Sequence, residues 1–231
     1  MQIARVDTGW GCKNLPSRRE MECPCRTPRR YNSAMTLENK TVLFFAGPLY
    51  EDLELWYPKI RLEEEGVHTV VAGTGEKTYQ GKRGYPLTVD TDVDRIQASD
   101  FDGLVIPGGY APDIMRRSQK LLQLTREIFE AGKPVAFICH AGWVPISAGI
   151  VRGKRGTSVG AIKDDLVNAG MLWEDSPVVV DGNLISSRTP ADLPVFCKAI
   201  ISALSASSVE GQESRKTASS VRPPLTLDSR P

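Results

Sequence analysis

Several signals of a specialised function are missing from this 231-residue sequence. Its formal net charge is only +1, which gives no electrostatic argument for a nucleic-acid or anionic-membrane partner. No apolar run approaches the length of a transmembrane helix, so no membrane partner is expected. Histidine is scarce, with only His68 and His140 in the chain. The composition is otherwise that of a soluble globular protein, 41% hydrophobic and 25% charged, long enough to bury a substantial core.

The cysteines do not form the pattern of a disulfide framework. Five is an odd count: Cys12, Cys23 and Cys25 lie near the start, whereas Cys139 and Cys197 lie in the body of the chain. This distribution predicts a reducing, cytoplasmic setting. The Cys23–Cys25 pair is C-x-C rather than C-x-x-C and has no histidine nearby, so we expect no metal and no other cofactor.

The two ends of the chain differ from the body. Residues 1–34 are rich in arginine and show neither an apolar period nor the hydrophobic core of a secretory signal. Met35 then looks like a fresh start just ahead of the first strand. Residues 207–231 are rich in serine, proline and charge and contain no aromatic residue. We therefore predict a disordered N-terminal extension over 1–34, one domain over 35–206 and a disordered tail over 207–231.

Between these ends, strand-like and helix-like segments alternate. Strands are predicted over 41–46, 67–72, 101–106 and 135–138, extended structure over 81–90, and a hairpin over 177–187. Helices are predicted over 51–65, 118–131, 161–169 and 190–204. This alternation is typical of an α/β sandwich with a mostly parallel sheet. In such sheets the ligand site lies beyond the carboxyl ends of the strands.

The most informative stretch runs from Val135 to Gly142. A short apolar strand ends at Cys139, and small residues follow before a helix-compatible run begins. A reactive side chain at a sharp strand-to-helix turn is the layout of a nucleophile elbow. The first amides of the helix favour a thiolate at Cys139, and His140 is adjacent. The alternative is a buried structural cysteine beside a surface histidine.

Two other predicted strands end near the same place. The first strand leads to Glu51, and the strand over 101–106 leads to Gly108-Gly109. Because the carboxyl ends of parallel strands share one edge of the sheet, we expect these residues and Cys139 to form one site.

Each of these residues has a chemical use. Cys139 would be the nucleophile, and the amides of Gly109 and His140 could bind a developing oxyanion. Glu51 would share its proton with the sulfur, since a carboxyl in a partly apolar cleft has a raised pKa. The alternatives are a first-turn acid at Glu51 that complements the helix dipole, and an ordinary turn at the double glycine.

Taken in order and spacing, nine segments resemble the ThiJ/PfpI superfamily, and most closely its PfpI intracellular protease-like branch. They fall between about Thr41 and Leu204. The segments are Tyr50–Leu55, Gly84–Tyr85, Val105–Gly109, Ile138–His140, Ile146–Gly149, Lys163–Asp165, Asn168–Gly170, Val178–Asn183 and Ser186–Arg188.

This resemblance implies a flavodoxin-like three-layer sandwich, also called the class I glutamine amidotransferase-like fold. It implies Cys139 as nucleophile and Glu51 as its carboxyl partner. In PfpI-like members an acid from a neighbouring subunit completes His140, and the matching position here is Asp113. The resemblance therefore predicts a homo-oligomer, from a dimer to a hexamer, with active sites at its interfaces.

Three functions are compatible with these residues, and a fourth is disfavoured. The resemblance implies chemistry on small aldehydes, as a glutathione-independent glyoxalase or a deglycase of glycated substrates, or cleavage of peptide substrates as an intracellular cysteine peptidase. A third hypothesis is a redox-sensing or chaperone-like stress protein in which Cys139 oxidises reversibly. A glutamine amidotransferase needs a distal histidine, and no histidine follows His140.

Overall fold

The structure is a computed structural model that describes residues 37–218. The second compact unit of the chain begins at Met35. The extension predicted over 1–34 and the last part of the predicted tail, 219–231, lie outside the described residues.

A seven-stranded sheet forms the centre of the described domain, with the strand order β10-β11-β7-β6-β1-β2-β5. Every neighbouring pair is parallel except β10 with β11. The strands are β1 (Thr41–Phe45), β2 (His68–Gly73), β5 (Thr91–Asp92), β6 (Gly103–Ile106), β7 (Val135–Ile138), β10 (Val178–Asp181) and β11 (Leu184–Ser187). Two small sheets accompany it: β3 (Thr78–Gln80) pairs with β4 (Pro86–Thr88), and β8 (Arg155–Gly156) pairs with β9 (Leu172–Trp173).

Helices cover both faces of this sheet. They are α1 (Asp52–Glu64), α2 (Ala111–Met115), α3 (Gln119–Glu130), α4 (Trp143–Ala148), α5 (Lys163–Asn168) and α6 (Leu193–Ala218). Helix α1 connects β1 to β2, which lies on the β5 side of β1. Helix α3 connects β6 to β7, which lies on the β10 side of β6, so the two connections run in opposite directions along the sheet. Since such crossovers are right-handed, the two helices lie on opposite faces. This confirms the predicted three-layer α/β sandwich.

The central strands have the composition that this burial requires. In β7 all four residues are fully buried, and in β1 the last four are buried. A strand covered on both faces reads as a continuous apolar run, which is why these two strands were predictable within a residue. The helix predicted over 118–131 is also confirmed: the Ser118 hydroxyl accepts a hydrogen bond from Leu121 N at 3.3 Å, and Gly132 follows its end with φ +73°.

Two predicted segments differ in extent from the structure. The last helix, predicted to end at 204, continues to Ala218. Residues 205–218 contain no proline and include glutamate, glutamine, lysine and alanine, so a helix that α6 has already nucleated can continue through them despite Gly211. The extended structure predicted over 81–90 is confirmed only in β4, which pairs with β3 around a loop over 81–85.

Candidate active site

Three adjacent strands bring the predicted site together. The order β7-β6-β1 places the carboxyl ends of all three strands side by side. The loops that follow are joined by backbone hydrogen bonds: Glu51 N donates to Gly108 O at 3.1 Å, and Tyr110 N donates to Leu49 O at 2.9 Å. Cys139 follows β7 directly. The three loops therefore form one continuous edge of the site.

Cys139 occupies a sharp elbow between β7 and the following helical turn. Its φ is +61°, a left-handed conformation that is unfavourable for a residue with a side chain. A single 3-10 turn over Cys139–Gly142 then leads into α4. This geometry directs the backbone N–H groups of Gly109 and His140 at the sulfur, where both favour the thiolate. The strand-to-helix turn predicted from the sequence is thus present at Cys139.

The double glycine is required by close packing. A Cβ atom at Gly108 would lie 2.6 Å from Glu54 Oε2 and 2.8 Å from Cys139 Cβ. At Gly109, where φ is +80°, a Cβ would collide with the backbone at Leu49 and Glu51. Only glycine lets this loop approach the thiol closely enough for its amide to reach the sulfur.

The carboxyl group beside the thiol belongs to Glu54, not to Glu51 as predicted. Glu54 is fully buried, and its Oε2 accepts a hydrogen bond from Gly108 N at 2.8 Å. Its other oxygen, Oε1, is buried and has no hydrogen-bond partner of good geometry among the described residues, although the carboxyl interacts with the Cys139 thiol. Glu51 instead precedes α1 at the pocket mouth and pairs with Lys82 at 3.5 Å.

A sequence signal for Glu54 existed. It shares the core-facing stripe of α1 with Leu55, Pro58 and Leu62, so a glutamate occupies an apolar helical position. A buried carboxyl without a basic partner is costly unless it keeps its proton, and it marks a candidate functional group. Glu51 lies three residues earlier, directly before the helix, and its side chain lines the pocket and pairs with Lys82.

Burial controls the ionisation of the Glu54–Cys139 pair. Burial is the largest of the causes that raise the pKa of Glu54 to about 8, and the charge of Glu51 contributes to the same rise. Burial also raises the pKa of the Cys139 thiol, and a negative charge on Glu54 adds to this effect. Burial thus opposes the effect of the helical turn after Cys139, which the sequence predicts to favour the thiolate.

The pair nevertheless has a favoured way of losing one proton. A thiolate at Cys139 would receive two backbone N–H groups and the carboxyl proton of Glu54. A carboxylate at Glu54 would receive Gly108 N and the thiol proton of Cys139. Three donors to the thiolate against two to the carboxylate favour a thiolate beside a protonated carboxyl, whereas burial holds the pKa of the thiol above that of the carboxyl, so the two groups titrate together.

His140 contacts the thiol within the same subunit. Its Nδ1 lies 3.3 Å from Cys139 Sγ, which leaves Nε2 for another partner. Burial lowers the pKa of His140, and the positive charge of Lys82 lowers it further, so the imidazole is neutral at neutral pH. Among the side chains described, those of residues 37–206, no carboxylate lies at ion-pair distance from this ring. Asp113, the predicted acid, lies in α2, is half-buried and pairs with Arg117.

Cys139, His140 and Gly109 line a pocket of about 90 Å³. Lys82 and Tyr110, which sequence reasoning missed, line it together with Glu51. Lys82 is held there by its loop: Lys82 N donates to Tyr50 O at 2.8 Å. The buried Asp52 carboxylate also accepts hydrogen bonds from the backbone N–H groups of residues 83 and 85, at 2.8 Å and 3.1 Å. The pocket has room for only a few non-hydrogen atoms.

No group of histidine, cysteine or acidic side chains within residues 37–218 could hold a metal ion. None of the helices described there is long and apolar enough to cross a membrane.

Comparison with known proteins shows which family this chain resembles. The family model described as DJ-1/PfpI matches residues 40–203. A deglycase from Pyrococcus horikoshii is 47% identical over 163 residues, which cover 71% of this chain and 98% of that protein. YraA of Bacillus subtilis, whose name carries a provisional cysteine protease label, is 37% identical over 160 residues, covering 68% and 94%. Among solved structures, DJ-1beta of Drosophila melanogaster has a TM-score of 0.68 and 32% identity, covering 72% of this chain and 90% of that chain.

Proposed function

This chain belongs to the DJ-1/PfpI family, and from that premise we propose that it is a cysteine-dependent stress enzyme acting on small reactive aldehydes and their adducts. The observation that carries the proposal is the Cys139 thiol, which lies under the Gly109 and His140 amides and beside the protonated Glu54 carboxyl. The pocket of about 90 Å³ admits a small aldehyde. The deglycase name of the Pyrococcus relative agrees with this choice.

The first step is addition. The Cys139 thiolate attacks the aldehyde carbon and forms a hemithioacetal, while the carbonyl oxygen takes up the negative charge. The N–H groups of Gly109 and His140 are placed to donate to that oxygen, and Glu54 then supplies its proton. If the aldehyde arrives as an adduct on an amine, the thiol replaces the amine at the carbinol carbon and the amine leaves with a proton.

The second step is a proton transfer within the hemithioacetal. With a 2-oxoaldehyde, His140 removes the proton from C1 and a proton returns to C2, which converts the hemithioacetal into a thioester of a 2-hydroxy acid. Water then hydrolyses the thioester, releasing the acid and the free thiol of Cys139. No oxidant or cofactor is needed, because one carbon is oxidised as its neighbour is reduced.

A cysteine peptidase is the second candidate. A thiol 3.3 Å from an imidazole nitrogen, under two backbone amides, is also an arrangement for acyl transfer. The YraA label points the same way. The small volume of the pocket favours the aldehyde, because an extended peptide would have to bind largely outside it. A redox-sensing or chaperone-like role would use Cys139 without turnover.

One comparison separates these functions. Wild-type protein, Cys139→Ala and the matched control Cys197→Ala are assayed with methylglyoxal, glyoxal and a denatured protein substrate. We expect aldehyde turnover in the wild type and in Cys197→Ala, and none in Cys139→Ala. Proteolysis without aldehyde turnover would favour the peptidase, and no turnover of any substrate would leave the redox or chaperone role.

The active site is completed in a homo-oligomer, from a dimer to a hexamer. Among the side chains that the structure describes, no acid pairs with Nε2 of His140, and α2, which carries Asp113, packs against the turn that holds His140. Tyr110 and Ile114 flank Asp113 and are 62% and 40% exposed, an apolar surface suited to a second copy. In the oligomer, the Asp113 carboxylate would leave its ion pair with Arg117 and bind the imidazole of the partner subunit. With Cys139 and Cys197 both free thiols, we place the protein in the cytoplasm.

A further inference from the structure

Trp143 connects the proposed catalytic histidine to a carboxylate on another helix. Its ring lies 5.4 Å from the His140 ring, centroid to centroid, with an interplanar angle of 59°. The indole Nε1 donates a hydrogen bond to Asp165 Oδ2 at 2.7 Å. The Arg116 guanidinium lies over the same ring at 5.9 Å, and Arg116 Nε donates to Ser147 Oγ at 2.9 Å. Nothing in the proposed reaction uses this tryptophan chemically.

The His140 ring needs an orienting contact inside its own subunit. It follows directly on the strained backbone of Cys139, whose φ is +61°. Within the described residues, the contacts shown for its ring are the Cys139 sulfur and the face of Trp143. An imidazole that turned away from the sulfur would lose the 3.3 Å contact of Nδ1 on which proton transfer depends.

We propose that Trp143 is a positioning residue, which holds the His140 imidazole with Nδ1 toward Cys139 Sγ and Nε2 toward the partner's acid. This rests on the proposed function, because it assigns His140 its proton-transfer role. Asp165 and Arg116 hold the Trp143 ring in place. A ring held in this way can fix the orientation of the His140 imidazole, whereas a loose ring would only fill the space beside it. Trp143 is only half-buried, so packing alone would leave its ring free to slide and tilt. The hydrogen bond from Nε1 to Asp165 restricts both movements.

Kinetics give the first test. We compare Trp143→Ala, Trp143→Phe and Asp165→Ala with the matched control Trp173→Phe. Trp173 is also half-buried, donates from Nε1 to Ser158 Oγ at 3.1 Å and has Lys163 over its ring at 4.8 Å. For methylglyoxal we expect kcat of Trp143→Ala to fall between about ten-fold and a hundred-fold, the scale of a misplaced catalytic group, with KM within about two-fold. Trp143→Phe and Asp165→Ala should lose less, and Trp173→Phe should match the wild type.

Imidazole NMR titration gives a second readout that needs no turnover. The chain has only two histidines, so His68 is an internal reference for His140. Trp143 contributes to the burial that lowers the pKa of His140, so removing the indole should raise the titration midpoint of His140 and leave the His68 signal unchanged. Asp165→Ala should give a smaller shift in the same direction, because the indole is released but still present.

The two readouts separate the possible failures. An unchanged His140 titration in folded Trp143→Ala or Trp143→Phe, or an equal loss of kcat in Trp173→Phe, would overturn the positioning role. If Trp143→Ala does not fold, Trp143→Phe and Asp165→Ala decide by the same measurements. If the wild type turns over no aldehyde, the proposed function fails, while the titration still tests the contact between Trp143 and His140.

Discussion

The buried Glu54 carboxyl and the Cys139 thiol form one titrating unit, although they lie 85 positions apart in the sequence. Gly108 lies between them: its N–H binds Glu54 Oε2, and its missing Cβ leaves the space in which carboxyl and thiol meet. Stability and the reactivity of Cys139 should therefore both depend on pH.

We expect the free energy of unfolding to fall as pH rises from about 4.5 to about 8, because the pKa of Glu54 is near 4.5 when unfolded and about 8 when folded. Below this window the carboxyl is protonated in both states, and the stabilisation is fully present. Above it, the folded state has lost a few kcal/mol, at about 1.4 kcal/mol per unit of pKa difference. Glu54→Gln should lack this dependence and become the more stable protein at high pH.

Denaturant unfolding at about pH 5, 6.5 and 7.5 measures this difference, below the range in which thiols of the unfolded chain ionise. Glu51→Gln is the matched control, since Glu51 lies at the pocket mouth and should keep the wild-type pH dependence apart from a small change. Parallel stability curves for wild type and Glu54→Gln would show that the buried carboxyl does not titrate as described.

Alkylation of Cys139 should follow the ionisation of the pair. We expect its rate to rise toward about pH 8 and to exceed that of Cys197, which is buried in α6. In Glu54→Gln the rise should move to higher pH, because an amide N–H is a poorer donor to the thiolate than a carboxylic acid. Iodoacetamide labelling, read by peptide mass spectrometry, compares both cysteines in one sample. Equal rates at Cys139 and Cys197 across pH would contradict the elbow.

Replacing Gly108 with alanine adds a single methyl group, but we expect it to disrupt the active site. The added methyl group would lie within 3 Å of Glu54 Oε2 and Cys139 Cβ, so both groups must move. We expect activity to be lost and stability to fall by about 1–3 kcal/mol, as for overpacked cores. Gly160→Ala is the control, because its Cβ would meet nothing within 4 Å. Wild-type activity in folded Gly108→Ala would refute the close packing.

Subunit exchange should reveal whether Asp113 serves its neighbour. Cys139→Ala and Asp113→Ala are each expected to be inactive, and a mixed oligomer should recover part of the activity because one intact site can form across the interface. Asp164→Ala, another first-turn helix acid, should stay active alone. A fully active monomer in sedimentation, or no recovery despite proven exchange, would rule out the shared site and leave Cys139 as the proposed nucleophile.

The sequence by itself determined those features that depend on local chemistry. Apolar runs without polar breaks marked β1 and β7, because strands covered on both faces bury every side chain. The Ser118 cap and the glycine at 132 marked the limits of α3. The small residues after Cys139 indicated the elbow, since a sharp turn restricts what can follow it.

Only the tertiary structure decided which carboxyl meets the thiol. Glu51 and Glu54 are both near the start of one helix, and the choice depends on which way each side chain faces once α1 packs on the sheet. Lys82 reaches the pocket because Asp52 fixes a loop that carries no periodic pattern of its own. The raised pKa values of Glu54 and Cys139 arise from burial. No single stretch of sequence predicts this burial, because it forms only when β1, β6 and β7 bring three distant loops to one edge of the sheet.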